Sequence, residues 1–299
     1  MTVLGPRTRI AGRYDLLELM SSGPLGDLWR GEDRQLERPV ALLLVQPSLA
    51  GDESFRNAFV TQARAWASIG HPGVTWVFDF GQAADEAGDP LLYIVRELVE
   101  GQRLDAVLGR DGTVGPVETL DLVAQAASTL CAAHGRGIVH GDITTANLIV
   151  RSDGVLKLTN FCVGLAVDAA PLVRAHVALE ATAHRSPEQV AGQPPTAASD
   201  IYGLGLVAYE CLTGALPFEA EGPVSLSMAH LTEVPPPLPP SVPDDAARLV
   251  HGMLAKDPAH RPADAATVAS EAVAACMRLG GRPSLPLREI LGGDAVRIR

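Results

Sequence analysis

A chain of 299 residues, 47% hydrophobic and 20% charged, is long enough to bury one large core or two smaller ones and has the composition of a soluble globular protein. Its formal net charge of -11, with no basic stripe to offset it, argues against nucleic acid and against an anionic membrane as partners. The longest uninterrupted apolar run, Val40 to Val45, is far too short for a bilayer span, and no charged segment followed by an apolar core opens the chain. The expectation is a cytoplasmic protein without direct membrane insertion.

From Tyr14 to Gln46 the pattern predicts three short strands, with turns at Ser21 to Pro24 and Arg34 to Pro39. Glu53 to Ile69 carries Phe55, Phe59, Ala63, Trp66 and Ile69 at helical spacing, which predicts one amphipathic helix. Two further strands are expected at Val74 to Phe80 and Leu91 to Leu98, separated by the acidic turn Ala83 to Pro90. Helix formers take over from Gly101, and Pro116 to Ala133 places Val117, Leu120, Val123, Ala127 and Leu130 on one face, with Pro116 near the helix start. Short strands follow at Leu148 to Val150 and Leu156 to Leu158, and residues 162 to 198 read as mostly irregular. Later helices are predicted at Asp200 to Leu212, Pro223 to Leu231, Asp244 to Leu254 and Ala263 to Arg278, with Pro235 to Pro240 a stiff connector.

Strands and one helix followed by a helical block form an α+β pattern with a small β-rich lobe and a larger helical lobe. The expected divisions are an extension at 1-12, the first lobe at 13-99, the second at 100-279 and a weakly structured tail at 280-299. The four cysteines, Cys131, Cys162, Cys211 and Cys276, form no C-x-x-C pair and read as buried free thiols. Lys157 and Lys256 are the only lysines, so nearly all positive charge is arginine.

Chemistry concentrates in Ile138 to Arg151, IVHGDITTANLIVR, where Asp142 sits in a polar loop and Asn147 follows five positions on. This stretch resembles the catalytic loop of the protein kinases, H-R-D-x-x-x-x-N, in which the aspartate accepts the substrate hydroxyl proton and the asparagine holds magnesium. Five phrases in order, RYDLLEL, SPEQ, SDIYGLG, TGALPF and AKDPAHRP, resemble the bacterial serine/threonine kinases from roughly residue 10 to residue 280. The resemblance implies a bilobal kinase-like fold, with Glu188 and Arg261 as a large-lobe ion pair and Asp200 anchoring the catalytic loop. It also implies an apolar adenine slot from Leu28, Ala41 and Leu148, hinge bonds from the backbone of Glu97 to Val99, and Trp66, Phe161 and His140 as a hydrophobic column.

Several charged parts of the family's machinery are replaced. Ser21, Gly23 and Gly26 stand at the phosphate-loop positions, with Pro24 offering no N-H, so an ordinary hairpin turn explains the stretch at least as well. Leu43 stands for the strand lysine and Gln62 for its helix glutamate, which neutralises both halves of that pair. Asn160-Phe161-Cys162 stands for the metal-binding D-F-G, and an amide replaces the principal carboxylate ligand for magnesium. Thr144 replaces the loop lysine and Gly141 the arginine that would receive an activating phosphate, and residues 163 to 181 contain no Ser, Thr or Tyr. Arg96 falls at the gatekeeper position, where it fills the pocket, substitutes for the lost cation or turns to solvent.

The function expected on these grounds is a pseudokinase, a binding, scaffolding or regulatory module rather than an enzyme. Asp142 would remain as a remnant base or a loop hydrogen-bonding group. Gly23, Gly26, Leu28, Ala41, Leu43, Arg96, Val99 and Leu148 would form a degenerate nucleotide pocket, with ATP bound weakly or not at all. Asn147 and Asn160 would hold magnesium weakly or not at all, no cofactor would be required, and the partner would be a protein. The alternative is a weakly active serine/threonine protein kinase with rearranged ATP and metal binding.

Overall fold

The computed structural model describes residues 5–23, 25–84, 88, 90–161, 182–285 and 290. Among them the chain divides into two compact units. The first takes the residues up to Ser68 and Thr75–Val99, and the second takes Ile69–Val74, Glu100–Phe161 and the residues from 182 onward.

The first unit is built on one antiparallel sheet. Its strands are β1 (Arg9–Ile10), β2 (Tyr14–Ser22), β3 (Gly26–Asp33), β4 (Arg38–Val45), β5 (Val77–Ala84) and β6 (Pro90–Glu97), in the order β1-β2-β3-β4-β6-β5. Side chains alternate across a sheet, so Tyr14, Leu16, Trp29, Val40, Leu42, Leu44, Leu91, Tyr93 and Val95 collect in one buried cluster. The remaining positions of β4 and β6 lie on the other face, where Ala41 pairs with Arg96 and Leu43 with Ile94. Two helices, α1 (Pro47–Ala50) and α2 (Glu53–Ala67), follow β4. Asp52 caps α2 by accepting from the Phe55 amide at 2.9 Å, and Phe55, Phe59, Ala63 and Trp66 form its buried stripe. The Trp66 indole donates to the Thr75 carbonyl at 3.0 Å, which fixes the end of that stripe.

Gly26 begins β3 where the backbone of β4 passes closely. A Cβ there would lie 1.9 Å from the Leu44 carbonyl oxygen, so one backbone or the other would have to move. Gly26→Ala is expected to cost roughly 1–3 kcal/mol as an overpacking change, seen as a lower midpoint in chemical denaturation.

The second unit contains a small sheet of β7 (Gly101–Arg103), β8 (Leu148–Arg151) and β9 (Leu156–Leu158). Around it stand α3 (Leu104–Asp111), α4 (Pro116–His134), α5 (Pro187–Val190), α6 (Ala197–Thr213), α7 (Pro223–Thr232), α8 (Asp244–Met253) and α9 (Ala265–Arg278). Proline opens α4, α5 and α7, where its missing N-H costs no helical bond. Helix α6 is buried almost all round, from Ser199 to Leu212, as expected of a helix that other helices surround. It packs against α4 and α8, and α4 packs along α9. No described helix is long and apolar enough to cross a membrane.

Several expectations are corrected. The strand predicted at Val74 to Phe80 begins at Val77 and runs to Ala84, and Val74 instead bridges Leu158 in the second unit. The acidic turn is accordingly shorter than read from sequence, and residues 85–87 and 89 lie outside the described residues. Strands β1 and β7, of two and three residues, were not expected, being too short for a period-two pattern to register. Cys131 is exposed, whereas Cys211 and Cys276 are buried free thiols and Cys162 lies outside the described residues. The start of the tail is tied down, because the Gly281 amide donates to the Cys276 carbonyl and the Ser284 amide to Asp121. Pro24, residues 163–181 and most of the tail beyond 285 lie outside the described residues.

Candidate active site

In the second unit the loop around Asp142 is held from below by Asp200 of α6. One oxygen of that buried carboxylate accepts from the Gly141 amide at 2.8 Å, and the other accepts from the His140 amide and faces His134 Nε2, both at 2.8 Å. From the opposite side Gln189 donates through Nε2 to the Gly141 carbonyl at 3.0 Å. Gly141 has a φ of 79°, a conformation that glycine adopts without cost. The expected arginine is therefore replaced by a glycine whose amide and carbonyl are both engaged.

His140 is fully buried, and burial pushes its pKa below the ordinary imidazole value. Its Nδ1 accepts from the Asp142 amide at 3.2 Å and Nε2 meets the Thr159 carbonyl at 3.0 Å, the pattern of one neutral tautomer. Its ring lies 4.6 Å from that of Phe161. It packs beneath the loop, as expected, and its Nδ1 holds the Asp142 amide.

Asp142, Asn147 and Asn160 come together. The Asn147 amide nitrogen donates to the Asp142 carbonyl at 2.8 Å and to its carboxylate Oδ2 at 2.9 Å, and Asn160 Nδ2 donates to Asn147 Oδ1 at 2.8 Å. Asn160 takes a φ of 64°, a left-handed conformation that asparagine tolerates better than most residues. One oxygen of Asp142 is thus oriented by Asn147. The other, Oδ1, accepts from none of the described residues, and the side chain is partly exposed.

The family resemblance implies magnesium here, but these donors do not suit it. A hard dication favours carboxylates and phosphates, and this trio offers one carboxylate, bonded by the Asn147 amide, with the Asn160 amide bonded in turn to Asn147. Among the described residues no group of three or more His, Cys, Asp or Glu could hold a metal ion.

Glu188 and Arg261 form the anticipated ion pair at 2.8 and 2.9 Å. The guanidinium also donates to the carbonyls of Ala198, Ala255 and Lys256, so all five of its N-H groups are used. Burial pushes the Glu188 carboxyl upward, but Arg261 and the Ser199 hydroxyl outweigh it and hold the pKa at about 2.

In the first unit, Gly23 and Gly26 bond to each other through both amides, N to O at 3.0 and 3.1 Å, and Gln46 donates to the Gly23 carbonyl. The phosphate-loop positions thus close a tight hairpin, and these two N-H groups already have acceptors. Ala41 and Leu43 are buried, and Leu28 and Val99 are half-buried. Leu148, assigned to the same slot from sequence, is buried at the start of β8 in the second unit. Gln62 is half-buried on α2.

Arg96 does not turn to solvent, which removes one of the three readings. The residue is 4% exposed and its guanidinium carbon lies 5.9 Å from the centre of the Trp66 ring. Neither Nε nor Nη1 has a hydrogen-bond partner among the described residues. Burial pushes its pKa down to about 10, against a smaller upward pull from Glu97.

Two supports of the loop were missed from sequence, His134 and Gln189. A signal for the second existed. Ser186 and Gln189 have the S-x-x-Q spacing of a capping box, in which Gln189 Oε1 accepts from Ser186 and leaves Nε2 free to reach Gly141.

The protein kinase domain model matches residues 14–274. Serine/threonine-protein kinase PknA of Mycobacterium tuberculosis is 36% identical over 285 residues, covering 95% of this chain and 66% of PknA. Serine/threonine-protein kinase PrkC of Bacillus subtilis is 34% identical over 256 residues, 85% of this chain and 39% of its own length. The chain thus spans just under two thirds, or less, of these curated relatives. Among solved structures, the kinase domain of Mycobacterium tuberculosis PknI superposes with a TM-score of 0.70 at 25% identity, over 94% of this chain and 100% of that one. These relatives overturn the expectation that the chain is not an enzyme. Proteins 34 to 37% identical over most of its length are named serine/threonine-protein kinases. The lost charges were read as lost activity, whereas the loop that carries Asp142 is held by Asp200 and Gln189.

Proposed function

The chain belongs to the protein kinase family, and from that premise we propose that it is a slow serine/threonine protein kinase with a rearranged grip on ATP and metal. The observation that carries this reading is the orientation of Asp142. Its Oδ2 is held by Asn147, its amide by His140, and Oδ1 is left to accept a proton. In the reaction, a serine or threonine hydroxyl of a protein substrate attacks the γ-phosphorus of ATP and the bond to the β-phosphate oxygen breaks. Asp142 Oδ1 takes the hydroxyl proton as ADP leaves. Cytoplasmic ATP is the donor this reading calls for.

Slowness follows from what is replaced. One preorganised donor is worth about 10² to 10³ in rate, and the substitutions at Leu43, Thr144 and Asn160 remove three charges together. Such losses are not additive, so the residual activity rests on positioning of the base and of both substrates. The donors around Asn160 do not suit magnesium, so the base and the positioning of the substrates carry the transfer.

The test is incubation with γ-labelled ATP and a generic protein substrate, with and without magnesium or manganese, followed by phosphopeptide mass spectrometry. Label on serine or threonine supports the proposal. ATP binding with no transfer under any condition would sink it and leave a nucleotide-binding module in its place.

A further inference from the structure

We propose that Arg96 is the anchor for the polyphosphate of a nucleoside triphosphate, a cation moved from β4 to the neighbouring strand. The inference rests on the reading of the chain as a kinase and names the residue that would hold its phosphoryl donor.

The sheet register sets the geometry. Arg96 of β6 lies directly opposite Ala41 of β4, and Leu43, two residues on, occupies the same face of the sheet. The guanidinium therefore rises beside the position from which the family's lysine would project. Helix α2 covers this face with Trp66, and Gln62 stands one turn earlier on the same side of the helix.

A buried cation ordinarily has a carboxylate or a full set of acceptors, because an unpaired buried charge is heavily penalised. Arg261 in the second unit illustrates the rule, with every N-H engaged. Arg96 departs from it. It is nearly as buried, but Nε and Nη1 have no acceptor among the described residues. The carboxylate of its neighbour Glu97 accepts from the Trp76 amide at 3.2 Å. The replacement of the helix glutamate by Gln62 also becomes intelligible, since an acid there would have taken the guanidinium for itself. A guanidinium whose Nε and Nη1 lack partners has donors left for phosphate oxygens, each able to form a charge-assisted hydrogen bond. The mutual pairing of Gly23 and Gly26 adds to the need for such an anchor, because those amides are no longer free to serve as the phosphate cradle.

The experiment compares the full chain with Arg96→Met, Arg96→Lys and Leu43→Lys/Arg96→Met. Melting temperature without ligand is measured for each, and affinity by calorimetry for ATP, adenosine and inorganic tripolyphosphate. Arg96→Met should melt higher than the wild type, because an unpaired buried charge is gone. It should also bind ATP roughly 10- to 100-fold more weakly, the worth of a hydrogen bond to a charged group, with adenosine unaffected. Arg96→Lys should fall between, and Leu43→Lys should restore part of the lost ATP affinity. Unchanged or tighter ATP binding in Arg96→Met, equal loss of adenosine and ATP, or no ATP binding by the wild type would each overturn the proposal. Tripolyphosphate binding as tightly as ATP would overturn the assignment to a nucleotide. The two readings fail separately. Phosphotransfer that survives Arg96→Met with an unchanged KM for ATP removes the anchor and keeps the kinase, whereas lost ATP affinity without any transfer by the wild type does the reverse.

Discussion

Asp142→Asn is expected to lower the rate of phosphate transfer by roughly 10² to 10⁴-fold, the contribution usual for a positioned general base. The substitution is nearly isosteric, and an amide oxygen at the same place can still accept from Asn147 Nδ2, so the braced loop should persist. What disappears is the capacity to take a proton. The melting temperature should therefore stay within about 2 °C of the wild type, because no buried contact is lost. A rate unchanged by Asp142→Asn would remove Asp142 from the chemistry. Asn147→Ala should act more mildly on the rate but also on stability, because it releases the Asp142 carbonyl and carboxylate and orphans Asn160 Nδ2.

The largest effect on stability is expected at Arg261. Breaking a buried ion pair by removing one partner typically costs about 3–5 kcal/mol, since the other charge is left without compensation. Arg261 is fully buried and Glu188 is 9% exposed, so both halves qualify. Arg261→Ala should be the worse of the two single changes, because it also orphans the carbonyls of Ala198, Ala255 and Lys256. Urea denaturation monitored by fluorescence would rank them. The same pair predicts a pH dependence. The Glu188 pKa is held at about 2 in the fold, below its ordinary value of 4.5, so its stabilisation is complete above pH 4.5 and is lost as the pH falls from there towards 2. Glu188→Gln should flatten that part of the stability profile. An unaltered profile would show that other carboxylates govern acid unfolding.

Much of the fold was legible because periodicity and punctuation agree. The stripe Phe55, Phe59, Ala63 and Trp66 marks α2, and Pro116 and Pro223 mark the starts of α4 and α7. Asp200, Glu188 and Arg261 were placed through motif phrases, and each makes the bond anticipated for it. Two- and three-residue strands stayed hidden because they are set by neighbours' hydrogen bonds rather than by their own composition. The fate of Arg96 was hidden for another reason. An arginine in a strand carries no signal of which way its long stem folds, and only the Trp66 ring across the sheet face decides it. The expectation that the chain is not an enzyme rested on a count of missing charges, which says nothing of how firmly Asp142 is held.

The clasp on Gly141 has a wider meaning. Asp200 and Gln189 grip that residue with one carboxylate and one neutral amide, and residues 163 to 181 offer no hydroxyl for a phosphate. Turnover by the chain is then expected not to depend on phosphorylation of residues 163 to 181. Treatment with a phosphatase should leave it untouched, and control of the output falls to how much protein and how much substrate are supplied.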